Sequence, residues 1–232
     1  MTMAKNLSKR LNACLNALSS LSRVADIGTD HAYLPCYGIA NGMIDSAIAI
    51  DVVDGPLVQA KQTIAGYGLA DKIELRKGSG LEPLEIGEVE GVVIAGMGGK
   101  LIYELLAASL QVARSMELLV FQPQGGEFML RQFLLIDGFE IVDEQLVEED
   151  GIIYTIIIAK PTEEEDYINR LDLIFGPLLR KNVTDALFVK KWMAELKSID
   201  EILANIPTDN PKYEEFVEKK QLIEDVLTGA FS

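Results

Sequence analysis

The chain has 232 residues, 49% of them apolar, a single histidine and a formal net charge of −15. That is somewhat more than the roughly 100–200 residues of a typical domain, and acidity of this degree excludes an evenly basic, phosphate-coating surface, so any nucleic-acid contact must come from locally concentrated Lys and Arg. Apolar runs such as Ile152 to Ala159 stop far short of the roughly 18 residues that span a bilayer. Lys5, Lys9 and Arg10 interrupt an N-terminal amphipathic segment that has no uninterrupted apolar core and does not read as a signal peptide, so a cytoplasmic protein without membrane contact is expected.

Leu7, Leu11, Leu15 and Leu18 recur at helical spacing and predict an N-terminal helix packed by its leucine face. Strands are expected near residues 23–27, 46–51, 72–77, 91–95, 117–121, 138–146 and 151–159. Helices are expected over Tyr33 to Asn41, Asp54 to Ala65, Gly99 to Ser109 and Gly126 to Leu135. Only Glu148-Glu149-Asp150-Gly151 separates the last two strands, too little for a crossover helix, so they must pair antiparallel. Five parallel strands finishing in an antiparallel pair make an α/β, Rossmann-like, seven-stranded sheet.

Pro161 stops the last strand, and Thr162 ahead of Glu163-Glu164-Glu165 reads as a helix N-cap with favourable first-turn charge. The sheet domain is therefore expected over residues 1–161 and an all-helical domain over 162–232. Its helices are expected at 163–175, 179–206 and 209–228, with Leu187, Trp192, Leu196, Ile199 and Leu203 as the apolar face of a hairpin, small bundle or coiled-coil arm. Its heptads are too few to decide between a dimer arm and a substrate clamp, which leaves the oligomeric state open. Cys14 and Cys36 have no metal-ligand spacing and read as buried free thiols, and no metal site is expected.

The chemistry concentrates where Val24-Ala25-Asp26-Ile27 breaks into Gly28-Thr29-Asp30-His31-Ala32-Tyr33. Gly28 lets the backbone approach a ligand or take a positive φ, and Asp26 offers an acceptor at the strand end. A dinucleotide fingerprint would need glycine where Asp30 and Tyr33 stand, so a pyrophosphate cradle is not expected. Ala47-Ile48-Ala49-Ile50 then ends at Asp51, where an acid takes ribose hydroxyls. Ribose without a phosphate clamp, in a pocket lined by Asp26, Asp30 and Asp51, suits the positively charged sulfonium of S-adenosylmethionine. Any one of these acids alone could equally cap a helix or close a turn.

Leu7-Ser8-Lys9-Arg10-Leu11, the run from Ala25 to Pro35, Ile94-Ala95-Gly96-Met97-Gly98-Gly99 and Gln122-Pro123-Gln124 closely resemble the bacterial tRNA adenine-22 N1-methyltransferase family. The match runs from Leu7 to about Lys160, and an Asp-His pair replaces the glycines usual in the first motif of this methyltransferase class. The resemblance implies a class I methyltransferase sheet, S-adenosylmethionine as cofactor, tRNA as partner and N1 of adenine 22 as the target. It also implies adenine contacts from Ser79 and Gly80. The cofactor set expected is Asp26, Gly28, His31, Asp51, Val52, Ser79, Gly80, Ala95, Gly96 and Met97.

The loop after the fourth strand lacks the Pro-Pro-aromatic sequence with which amino-group methyltransferases of the class treat an exocyclic amine. Adenine N1 already has an in-plane lone pair, so positioning can do most of the work. Asp30, His31 and Tyr33 are the candidate catalytic residues, as acceptors for the positively charged product or its exocyclic proton, with His31 alternatively only shaping the pocket. Lys5, Lys9, Arg10 and Arg23, with no acid among residues 1–25, form the expected tRNA-docking cluster. Arg180, Lys181, Lys190, Lys191 and Lys197, against Asp185 and Glu195, are the competing one. The rival readings are a methyltransferase on a protein or small molecule, which the acidic charge favours, and a non-catalytic cofactor-binding interaction module.

Overall fold

The computed structural model describes residues 7–164 and 169–229, so Lys5 lies outside the described residues. Strands β1 (Arg23–Ile27), β2 (Ser46–Asp51), β3 (Ile73–Lys77), β4 (Gly91–Met97), β5 (Leu118–Pro123), β6 (Phe139–Glu149) and β7 (Ile152–Pro161) form one sheet in the order β3-β2-β1-β4-β5-β7-β6. The first five strands run parallel, and β7 is antiparallel to both β5 and β6, as expected. Parallel strands covered on both faces need continuous apolar runs. Ile48-Ala49-Ile50, Val92-Val93-Ile94 and Leu119-Val120-Phe121 supply them, all fully buried. The β6–β7 turn is just Asp150 and Gly151, at φ 52° and 80°, the double positive φ of a type I′ hairpin turn.

Helices α1 (Lys9–Ala17), α2 (Tyr33–Ala40), α3 (Asp54–Tyr67), α4 (Gly99–Ala108), α5 (Leu110–Ala113), α6 (Glu127–Ile136) and α7 (Arg170–Phe175) complete this unit. Ser8 caps α1 by accepting from Leu11 N, and the leucine face is real: Leu7, Leu15 and Leu18 are buried. Strand order reverses about β1, which has β2 on one side and β4 on the other. That switch opens a crevice at the carboxyl ends of these strands.

The expected helix at 163–175 is shorter among the described residues. Thr162 Oγ1 accepts from Glu164 N at 3.1 Å and closes only a local bend; the cap of α7 is Asn169, whose Oδ1 accepts from Leu171 N at 2.8 Å. The chain divides into compact units between Gly176 and Pro177, later than the expected break after Pro161, because α7 is fastened to the sheet unit. Arg131 of α6, 1% exposed, donates from Nη1 to the carbonyls of Leu173 and Ile174 at 3.0 and 3.2 Å, satisfying acceptors that the last turn of a helix leaves open. Its Nε binds Glu144 Oε1 at 2.8 Å.

Among its described residues the second unit holds a short 3₁₀ turn (Leu179–Asn182) and two helices, α8 (Ala186–Asn205) and α9 (Tyr213–Leu227). The expected helix from 179 starts later because Asp185 caps α8, its Oδ1 accepting from Leu187 N and Phe188 N at 2.9 and 3.0 Å. Glu195 with Lys219 and Asp200 with Lys220 tie the two helices into a hairpin. Among the described residues, no helix is long and apolar enough to cross a membrane.

Candidate active site

The turn after β1 is held to β2 by its backbone: Gly28 N and Thr29 N both donate to Ile50 O, at 2.8 and 3.0 Å. Gly28 has φ 69°, the left-handed conformation that favours glycine, and a Cβ there would force the Met97 side-chain end at the close of β4 to shift. Asp30 and Ala32 are left-handed without being glycine, at φ 52° and 55°, a strained arrangement of the kind concentrated at functional turns. It turns Asp30 and His31 outward: His31 Nδ1 lies 3.7 Å from Asp30 Oδ2, and the His31 and Tyr33 rings meet edge to face at 5.5 Å. The three candidate catalytic residues thus form one cluster.

Asp51, closing β2, accepts from Asp30 N on Oδ2 at 3.2 Å and from Val53 N on Oδ1 at 3.0 Å. Each carboxylate oxygen keeps a further lone pair, which is what two vicinal ribose hydroxyls require. Val52 beside it is exposed and apolar. Asp26 differs from expectation in its surroundings: it is buried, with Oδ2 accepting from Thr29 Oγ1 at 2.6 Å. Burial pushes its carboxyl up to about 6, the neighbouring Asp51 and Asp30 charges add to this, and the Thr29 hydroxyl opposes it. Asp26 therefore underlies the turn, and Asp51 is the acid open to a ligand.

The loops after β4 and β5 are zipped together. Gln124 N donates to Met97 O and Gly99 N to Gly125 O, each at 2.8 Å, and a Cβ on Gly99 would collide with Gly126 O. Gly96, at φ 79°, is half-buried, and a Cβ there would lie 3.8 Å from Gln124 Nε2. In the loop after β3, Gly78 N donates to Asp51 O at 3.1 Å. There a Cβ on Gly80 would stand 2.8 Å from Leu105 Cδ2, so that glycine answers to packing while Ser79 stays half-buried beside it.

The docking cluster does not hold together as expected. Arg10 reaches the crevice: its Nη1 donates to Gln122 Oε1 at 2.7 Å, and a Cβ on Gly96 would lie 3.9 Å from it. Lys9 is exposed next to it. Arg23, by contrast, begins β1 in register with Ser46, four residues and roughly 13 Å from the crevice end at about 3.3 Å per residue. It pairs there with Glu74 and Glu88, in a cluster where hydrogen bonds from Arg76 pull Glu88 down to about 2. Contiguity in sequence had joined charges that a helix and a strand carry to opposite ends of the sheet. Glu149 and Tyr154, on either side of the hairpin turn, escaped the sequence reading, yet both meet Arg10. Among the described residues no three His, Cys, Asp or Glu side chains group to hold a metal ion.

A sheet whose seventh strand inserts antiparallel between the fifth and sixth, with its crevice walled by acids and glycine loops, is that of a class I methyltransferase. Residues 24–227 match the family described as tRNA (adenine(22)-N(1))-methyltransferase, TrmK. The chain belongs to this family. It is 34% identical to the tRNA (adenine(22)-N(1))-methyltransferase of Bacillus subtilis strain 168 over 95% of its own length and 97% of that protein. The crystal structure of the B. subtilis tRNA methyltransferase TrmK covers 96% of the chain and 99% of its own at 32% identity and TM-score 0.86. A Streptococcus pneumoniae structure solved with S-adenosyl-L-methionine covers 96% of the chain and 100% of its own, at 35% identity and TM-score 0.88.

Proposed function

We propose that the crevice between β1, β2 and β4 binds S-adenosylmethionine and receives adenine 22 of a tRNA for methylation at N1. The observation that carries this is Asp51, with both oxygens oriented by backbone N–H groups and still able to accept. The donor set fits the cofactor: Asp51 for the ribose, Val52, Ser79 and Gly80 around the adenine, and Gly28, His31, Ala95, Gly96 and Met97 toward the methionine and the transfer point. Asp26, Asp30 and Asp51 make the crevice negative, which favours a sulfonium over a phosphate. When bound, S-adenosylmethionine supplies an electrophilic methyl group on positively charged sulfur.

The residues of the chain do the rest. Ala95 to Gly99 offer backbone and no side-chain acceptor at the transfer point, which matches a target whose ring nitrogen has its lone pair in plane. The base must leave its stack to enter, and Met97 packs on its face. Asp30 and Tyr33 accept from the exocyclic amine and offset the positive charge that methylation leaves on the ring, with His31 orienting Asp30. Lys9 and Arg10 contact the tRNA backbone. A tRNA substrate places the protein in the cytoplasm.

Labelled cofactor with a tRNA transcript tests the reading. N1-methyladenosine should map to position 22 and vanish when guanine replaces that adenine. Label elsewhere in the tRNA, or on protein, would overturn it.

A further inference from the structure

Two segments far from α1 in the chain, β5 and the β6–β7 hairpin, converge on one guanidinium. Arg10 Nη1 donates to Gln122 Oε1 at 2.7 Å, Nε stands 3.6 Å from Glu149 Oε2, and the group lies 5.6 Å from the centre of the Tyr154 ring. Gln122 is fully buried, and its Nε2 donates to Pro123 O at 2.9 Å, which turns the amide oxygen toward the arginine. Glu149 divides its oxygens: Oε1 accepts from Lys9 N at 2.6 Å while Oε2 faces Arg10. A cation that merely coats a surface needs no such framework. The neighbouring Lys9 side chain, which is exposed, has none among the described residues.

The framework also aims the group. A Cβ on Gly96 would stand 3.9 Å from Arg10 Nη1 and 3.8 Å from Gln124 Nε2, so the guanidinium flanks the loop where the base enters. The Arg10 side chain is 24% exposed, and its Nη2 makes no hydrogen bond among the described residues.

Resting on the methyltransferase reading above, we infer that Arg10 grips the phosphodiester of the extruded nucleotide, and that Glu149, Gln122 and Tyr154 are positioning residues that aim it. A planar fork of donors matches phosphate oxygens two at a time. The alternative partner, the adenine ring, becomes positively charged on methylation, so a bare guanidinium against it would oppose the reaction; a phosphate between them removes the conflict. A phosphate fixed this close to the transfer point governs the alignment of N1, so the contact acts on kcat as well as on tRNA binding.

The test compares wild type, Arg10→Ala, Arg10→Lys and Glu149→Gln for kcat and KM with tRNA, cofactor affinity by calorimetry, and unfolding midpoint. Arg10→Ala should lower kcat/KM on the order of 100-fold, the loss that a misplacement of about 1 Å brings, with cofactor affinity retained. Arg10→Lys restores charge without the fork and should recover KM more than kcat. Glu149→Gln keeps an acceptor for Lys9 N yet releases the arginine, and should fall between wild type and Arg10→Ala in kcat. Wild-type rates per folded molecule in Arg10→Ala would overturn the inference, as would losses that merely follow the unfolding midpoint, since Arg10 would then only fasten α1 to the hairpin. Wild-type protein that binds cofactor and leaves the tRNA unmethylated would instead bring down the methyltransferase reading, and this inference with it.

Discussion

Strand β6 carries two glutamates that each hold an arginine, and they do so in opposite styles. Glu144 meets Arg131 at 2.8 Å with the side chains 0% and 2% exposed, and the same guanidinium ties down the end of α7. Glu149 meets Arg10 at 3.6 Å with 17% and 24% exposed, beside the crevice. The inner pair has every direction filled: even Gly176, at φ 94°, has no room for a Cβ against the Glu144 carboxylate and Arg131. The outer pair keeps donors in reserve. One strand thus serves as an anchor at one place and as a platform for a crevice-side cation at the other, and burial separates the two.

The anchor should show the largest effect when broken. Arg131→Leu leaves Glu144 buried without its partner and should lower unfolding stability by about 3–5 kcal/mol, measured by denaturant titration. Molecules that still fold should methylate at the normal rate.

Asp26 sharpens the comparison, being a buried acid in the crevice with a hydroxyl instead of an arginine. Its folded pKa of about 6 lies above the ordinary 3.8, so the folded form holds the proton more tightly. Its favourable share of stability is complete below about pH 3.8 and is lost as pH rises through about 6. Asp26→Asn keeps an acceptor for Thr29 and drops the charge. It should be more stable than wild type at pH 8, by up to about 3 kcal/mol, with the difference closing at pH 4.

Asp51 is wetter than Asp26, being half-buried. Asp51→Ala should weaken S-adenosylmethionine binding by about 1.5–3 kcal/mol, the range for hydrogen bonds to a charged group, and calorimetry on the folded variant checks it. Smallest of all, Arg23→Ala should leave tRNA affinity unchanged in a binding titration, because its guanidinium serves Glu74 and Glu88 at the far end of the sheet.

The sequence made the sheet legible because its signals are local. Buried parallel strands read as apolar runs, the short gap around Asp150-Gly151 forced an antiparallel pair, and the acid after Ala47-Ile48-Ala49-Ile50 marked Asp51. What it hid depends on partners far along the chain. Nothing near Arg10 announces Glu149 or Tyr154, and nothing near Arg131 announces the carbonyls of Leu173 and Ile174 that carry the first unit on to Gly176. A charge count over residues 1–25 could not tell that α1 takes Arg10 to the crevice while β1 starts Arg23 away from it. Thr162 looked like a cap because its hydroxyl does bind a nearby N–H, though the helix it was expected to start has Asn169 as its cap.

The two arginines can be set against each other in one measurement, the single-turnover methylation rate per folded molecule for Arg131→Lys and Arg10→Lys under the same conditions. Arg131→Lys should react at nearly the wild-type rate despite a lower unfolding midpoint, and Arg10→Lys should be slower by about tenfold or more at an unchanged midpoint. Equal rates in the two variants, or a slower Arg131→Lys, would contradict the division of labour along β6.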